Sequence, residues 1–163
     1  MRAAAFAVSA LLTISGEAAS FAETPEEWIS LGARVHGGFG SHIPVGIRIG
    51  EDALQRLHAS RREVTVVYYD SDKSPCACIA DGIALATVAT AGQRTLQIAQ
   101  EKAPEGAMAM IAITKKGTSD TVIYTVSDSW VARLKEINAK FDPAGRYREV
   151  MQAEGLFEVR AAP

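Results

Sequence analysis

The chain has 163 residues, with 17 Lys and Arg against 19 Asp and Glu, a formal net charge of −2. That balance excludes a polybasic surface for nucleic acid or an anionic membrane as the basis of function. The length suits one domain with a sizeable core, and neither an internal repeat nor a low-complexity linker interrupts it.

Residues 1–22 start with Arg2, run apolar from Ala3 to Ile14 and end in Ser20-Phe21-Ala22. A short basic head, an apolar run too short to span a bilayer and small residues at the end predict a secretory signal cut after Ala22. The mature chain then begins at Glu23. Cleavage removes one base, Arg2, and one acid, Glu17, so the net charge stays at −2. The expected location is a periplasm or the cell exterior, with no membrane contact after cleavage.

The remaining chain, 23–163, reads as one domain whose last part, from about 127, is a helical extension. Thr24-Pro25-Glu26-Glu27 predicts a helix start, with Thr as N-cap and Pro in the first turn, over 25–34. His36-Gly37-Gly38-Phe39-Gly40 is too rich in glycine to continue it. Val45, Ile49, Ala53, Leu54 and Leu57 fall at helical spacing within 44–60. Val64–Tyr69 is β-branched and aromatic and predicts a strand. After a loop over 71–75, a helix is expected over 78–90. Strands follow at 94–100, 107–114 and 121–126, the last two joined by a hairpin turn at 115–120. Two amphipathic helices, 128–139 and 143–153, close the chain. The fold class is α+β: a mixed β-sheet with helices, in the order α-β-α-β-β-β plus C-terminal helices.

Cys76 and Cys78 are the only cysteines, one residue apart where a strand hands over to a helix. Three readings are open: metal ligands, a redox pair, or small buried residues. An oxidising compartment permits a bond between them, although side chains at i and i+2 diverge if both lie on a helix. A soft metal takes thiolate and imidazole, zinc first and copper second. His36 offers a nitrogen from the glycine-rich loop. His42 or Asp81 completes the set, and Asp81 shares a helix face with Cys78 or holds the histidine from behind. His58 reads as a solvated surface residue. Arg34, Arg48 and Arg94 read as solvated or paired end-of-element residues. Met108 and Met110 alternate on a strand and read as core.

Two segments resemble a known family, the FmdE-like domains named after formylmethanofuran dehydrogenase. The first is Val35-His36-Gly37-Gly38-Phe39-Gly40-Ser41, continuing to Gly46-Ile47-Arg48-Ile49-Gly50. The second is Cys78-Ile79-Ala80-Asp81-Gly82-Ile83, then Thr87, Thr90, Gly92 and Leu96. The resemblance runs from Val35 to about Val126 without gaps over both motifs. It implies a metal-type site at His36 and Cys78. The family pattern places a second His at Gly38 and cysteines at Gly40 and Ala89, so this chain has a modified ligand set with Cys76 and His42 in addition. The resemblance also implies pairing of two copies, for which Trp130 and Phe141 on the closing helices supply apolar surface.

The expectation is an exported transition-metal or metal-cofactor binding protein, with Cys78, Cys76, His36, His42 and Asp81 as site residues. Its partners are a second copy and a metal or cofactor donor or acceptor protein, not nucleic acid. The alternatives are a metal-dependent enzyme acting on a small molecule at the same site, and a thiol-redox protein using Cys76 and Cys78.

Overall fold

A computed structural model describes residues 23–162; the expected signal segment lies outside them. In chain order the elements are α1 (Pro25–His36), α2 (His42–Arg56), β1 (Val64–Asp70), α3 (Cys78–Thr87), β2 (Leu96–Ile98), β3 (Ala107–Lys115), β4 (Thr121–Ser127), α4 (Trp130–Lys140), α5 (Pro143–Met151) and β5 (Glu158–Ala161). The strands form one mixed sheet in the order β2-β1-β3-β4-β5. β2 runs parallel to β1, and the other neighbours are antiparallel. This is the α+β class that the element order predicts.

Alternation sets the buried face of the sheet. Val64, Val66 and Tyr68 of β1, Ile111 and Ile113 of β3, and Val122, Tyr124 and Val126 of β4 are all buried. Val45, Ile49 and Ala53 of α2, Ile79 and Ile83 of α3, and Leu134 and Ile137 of α4 join them in one core. A smaller cluster of Trp28, Phe39, Ile43, Ile47, Cys78 and Ala86 fills the space between the first three helices. Met108 is in the main core beside an irregularity in the β3–β4 register; Met110 is only partly buried.

α2 and α3 meet backbone to backbone. A Cβ on Gly46 would lie 2.0 Å from the Ile79 carbonyl oxygen, and one on Gly82 2.1 Å from that of Ile43. A Cβ on Gly50 would lie 2.7 Å from that of Ala86. Side chains are excluded there because backbone meets backbone. The Gly-x-Arg-x-Gly motif is therefore a helix-crossing motif, and its arginine is structural as well. Arg48 Nη1 donates to the carbonyls of Val150 (2.9 Å) and Ala153 (2.6 Å), and the guanidinium stacks over Phe157. It thereby pins the end of α5 and the turn after it, where the Val150 carbonyl also accepts from the Ala153 amide at 3.2 Å.

Several boundaries differ from the sequence reading for local reasons. α1 continues to His36, where Gly37 takes the left-handed conformation at φ 85 and donates to the Ala33 carbonyl. His36 is thus the last residue of a helix, not part of the glycine loop. α3 stops at Thr87, whose hydroxyl donates to the Ile83 carbonyl, and Val88 turns left-handed. The strand expected over 94–100 shortens to β2, because Arg94 has positive φ and Thr95 folds back onto Thr90. The C-terminal part is not wholly helical: β5 pairs with β4 as an edge strand. α4 folds back on β4 of its own sheet, and α5 packs on α1 and α2. Trp130 and Phe141 pack against the main core, and Trp130 Nε1 donates to the Gly155 carbonyl at 3.0 Å. Both side chains stay partly buried.

Gly46→Ala is expected to cost at least about 2 kcal/mol of folding free energy, the range for forcing extra volume into a packed core. Urea unfolding checks it. Gly92→Ala, where no atom lies within 4 Å of the added Cβ, is the control and leaves the midpoint nearly unchanged.

Candidate functional site

Three helix ends meet at one side of the domain. α1 ends there with His36, and α3 starts there with Cys78 and Asp81 one turn on. α2 starts there with His42. Cys76 comes from the loop ahead of α3, and the Ser74 hydroxyl steadies that loop by donating to the Cys76 carbonyl at 2.7 Å.

His36, Cys76 and Cys78 come together: each offers a ligand atom within 4.8 Å of the other two. Asp81 does not join this trio but holds it from behind. Its Oδ2 accepts from His36 Nδ1 at 2.7 Å, with both side chains partly exposed. With the proton on Nδ1, Nε2 carries the lone pair that a metal takes. His42 also lies outside the trio, although it lines the same cleft.

The two sulfurs are bonded to each other, with the Cα atoms 5.2 Å apart. The bond is open to this pair because only Cys78 is helical. Cys76 is off the helix, and Ala77 between them has ψ 31. Cys78 is buried and Cys76 partly buried, so the pair forms the floor of the site.

A cleft of about 530 Å³ opens over this floor. Its far wall is α4, through Val131, Lys135 and Asn138. The sequence reading missed this wall, since no motif marks those residues. Ser41 is what locks it in place. Ser41 is fully buried; its hydroxyl donates to the Leu134 carbonyl at 2.8 Å, and its amide donates to Asn138 Oδ1 at 3.3 Å. Ser41 thus ties the glycine loop to α4.

Once the Cys76–Cys78 bond is reduced, the donor set fits a soft metal: two thiolates and an imidazole with a carboxylate behind it. His42 stands in reserve: its Nε2 is buried without a hydrogen-bond partner. Burial, and secondarily the charge of His36, push the His42 pKa below its ordinary 6.5. The ring is neutral at pH 7.

The fold and this arrangement define an α+β domain with a sulfur–imidazole cluster at the floor of a cleft. The sequence model of the family described as FmdE, Molybdenum formylmethanofuran dehydrogenase operon, matches residues 35–162, and the chain belongs to that family. The match takes in α4, α5 and β5 as well as the two motifs. A search of curated proteins found none that matches. Within the matched span, Gly40 lines the cleft and Ala89 is buried in the core.

The buried His42 makes stability depend on pH. Its folded pKa is lowered, so the unfolded chain binds the proton more readily. Its contribution is complete above the unfolded value near 6.5 and is lost as pH falls through the lower folded value. His42→Gln is expected to flatten the acid side of the stability profile. Urea melts of both proteins between about pH 4 and 8 check this.

Proposed function

We propose that the protein is an exported binding protein for a transition metal or a metal-containing cofactor, with Cys76, Cys78 and His36 as protein ligands. The observation that carries this reading is the convergence of the three donors from two helix ends and one loop. Asp81 orients the imidazole. His42 lines the same cleft but lies outside the trio, which leaves the fourth position of a four-coordinate metal to a ligand from outside the chain. Zinc is the metal best suited to two thiolates and an imidazole, with copper(I) second.

Metal loading requires the dithiol. Reduction of the Cys76–Cys78 bond by a dithiol reductant takes two electrons and two protons, and metal binding then releases both protons. The positive end of α3 favours negative charge on Cys78 once it is reduced. The leader read in residues 1–22 supports export. Among the described residues no helix is long and apolar enough to cross a membrane. For the partner we keep a second copy of the chain. Val67, Tyr69, Met110 and Ile123 lie between the core positions of the sheet and are only partly buried. A two-fold pairing over that face is the simplest closed arrangement.

One observation favours a second reading, a thiol-redox protein: the two sulfurs are bonded. The readings separate in one experiment. The mature protein is reduced, offered zinc and analysed by native mass spectrometry. The metal reading expects about one metal per chain, none in Cys76→Ser/Cys78→Ser, and affinity reduced about 10–100-fold in Asp81→Asn, the usual cost of losing the group behind a histidine ligand. Full metal content in the double variant removes the metal reading. A reversible two-electron change without metal uptake establishes the redox one.

A further inference from the structure

We propose that the cleft over the sulfur–imidazole floor binds a small organic carboxylate, held by Lys73 and Lys135. The volume of about 530 Å³ lies inside the range of small-molecule sites, roughly 300–1,000 Å³. The two lysines face it from separate elements: Lys73 from the loop between β1 and α3, Lys135 from α4. Neither forms an ion pair among the described residues.

The two acids closest to the site are already engaged. Asp72 pairs with Lys102 at 2.9 Å, and Asp81 pairs with His36. The cleft therefore holds two uncommitted positive charges and no uncommitted carboxylate at those positions. Its walls also carry apolar surface from Ile43, Pro75 and Val131. Val131 and Lys135 are four residues apart on one helix and share a face. Apolar surface beside paired ammonium groups matches a ligand with a hydrocarbon body and charged ends. No arginine lines the cleft, so recognition rests on the two ammonium point charges, and the apolar walls beside them favour a carboxylate on a hydrocarbon body over bare inorganic phosphate.

The charge recognition stands on the lysines alone. What the carboxylate does there rests on the proposed metal site. Three protein donors leave one position of a four-coordinate metal open, and a carboxylate oxygen is an accepted ligand in that position. The ligand then bridges the cluster and the lysines, and the protein takes its metal as a carboxylate complex.

The test is calorimetric titration of the mature, reduced and zinc-treated protein with glutarate, with 1,5-pentanediol as the uncharged counterpart and inorganic phosphate as a competing anion. Saturable binding of glutarate and none of the diol is expected. Lys73→Gln/Lys135→Gln should weaken glutarate about tenfold, the scale of losing two partly exposed charge contacts, with metal content unchanged. Both lysines are exposed, so the variant keeps the fold. Absence of saturable glutarate binding, unchanged affinity in the double lysine variant, or preference for phosphate overturns the carboxylate assignment. Metal content measured on the same samples keeps the two readings apart: lysine-dependent glutarate binding to metal-free protein sustains the carboxylate site while removing the metal.

Discussion

The rest of the structure depends on the backbone contact between α2 and α3. At Gly46 and Gly82 the two helices approach until each glycine faces the other's backbone, with a carbonyl where a side chain would otherwise stand. Nothing larger than hydrogen fits. The consequence is positional: the start of α2 and the start of α3 are held at a fixed separation. His42 and the Cys78–Asp81 turn ride on those two starts. The same approach lets Ile43, Ile47, Ala86 and Cys78 close over Trp28 and Phe39, and that packing fixes where α1 ends. A metal or thiol site needs its donors held within fractions of an ångström by elements that cannot shift independently. Here that rigidity comes from absent side chains rather than from added contacts.

Helix polarity then sorts the charges. His36 sits at the negative end of α1, and Cys78 at the positive end of α3. An imidazole that donates to Asp81 and a sulfur that carries negative charge when reduced both occupy the ends that favour them. Asp81, in the first turn of α3, is favoured by the same dipole that acts on Cys78. One carboxylate thereby stabilises the start of its helix and aims the histidine of another. The loop cysteine lacks such support and depends on Ser74 and on Cys78 itself for its place.

Much of this was legible in the sequence, for reasons particular residues make plain. Thr24-Pro25 marked a helix start because cap and first-turn chemistry are local, and the cap forms. β1, β3 and β4 were legible because alternation against a core leaves a period of two. β5 was not: Glu158-Val159-Arg160-Ala161 has one apolar β-branched residue, and its strand state comes from pairing with β4. The trio with its carboxylate was legible through two spaced motifs. Lys73, Lys135 and Val131 were not, because a cleft wall from a helix far away in sequence carries no spacing signal. The glycine after His36 reads as the start of a loop that includes the histidine. In the fold that glycine ends the helix one residue later, which gives the histidine a firmer mount than a loop would.

The same geometry bears on the chemistry of the sulfurs. Gly40, where the family resemblance puts a cysteine, lines the cleft, and so do Cys76 and Cys78. Both sulfurs at the floor therefore come from one short stretch of chain. A cysteine at position 40 would stand on a different segment from Cys78, whereas Cys76 is separated from it by a single residue. Donors on separate segments are drawn together chiefly by a metal; two on one short turn can satisfy each other. With both thiols on one turn the site can close on itself: the Cys76–Cys78 bond takes up both sulfurs and leaves His36 and Asp81 paired as they stand.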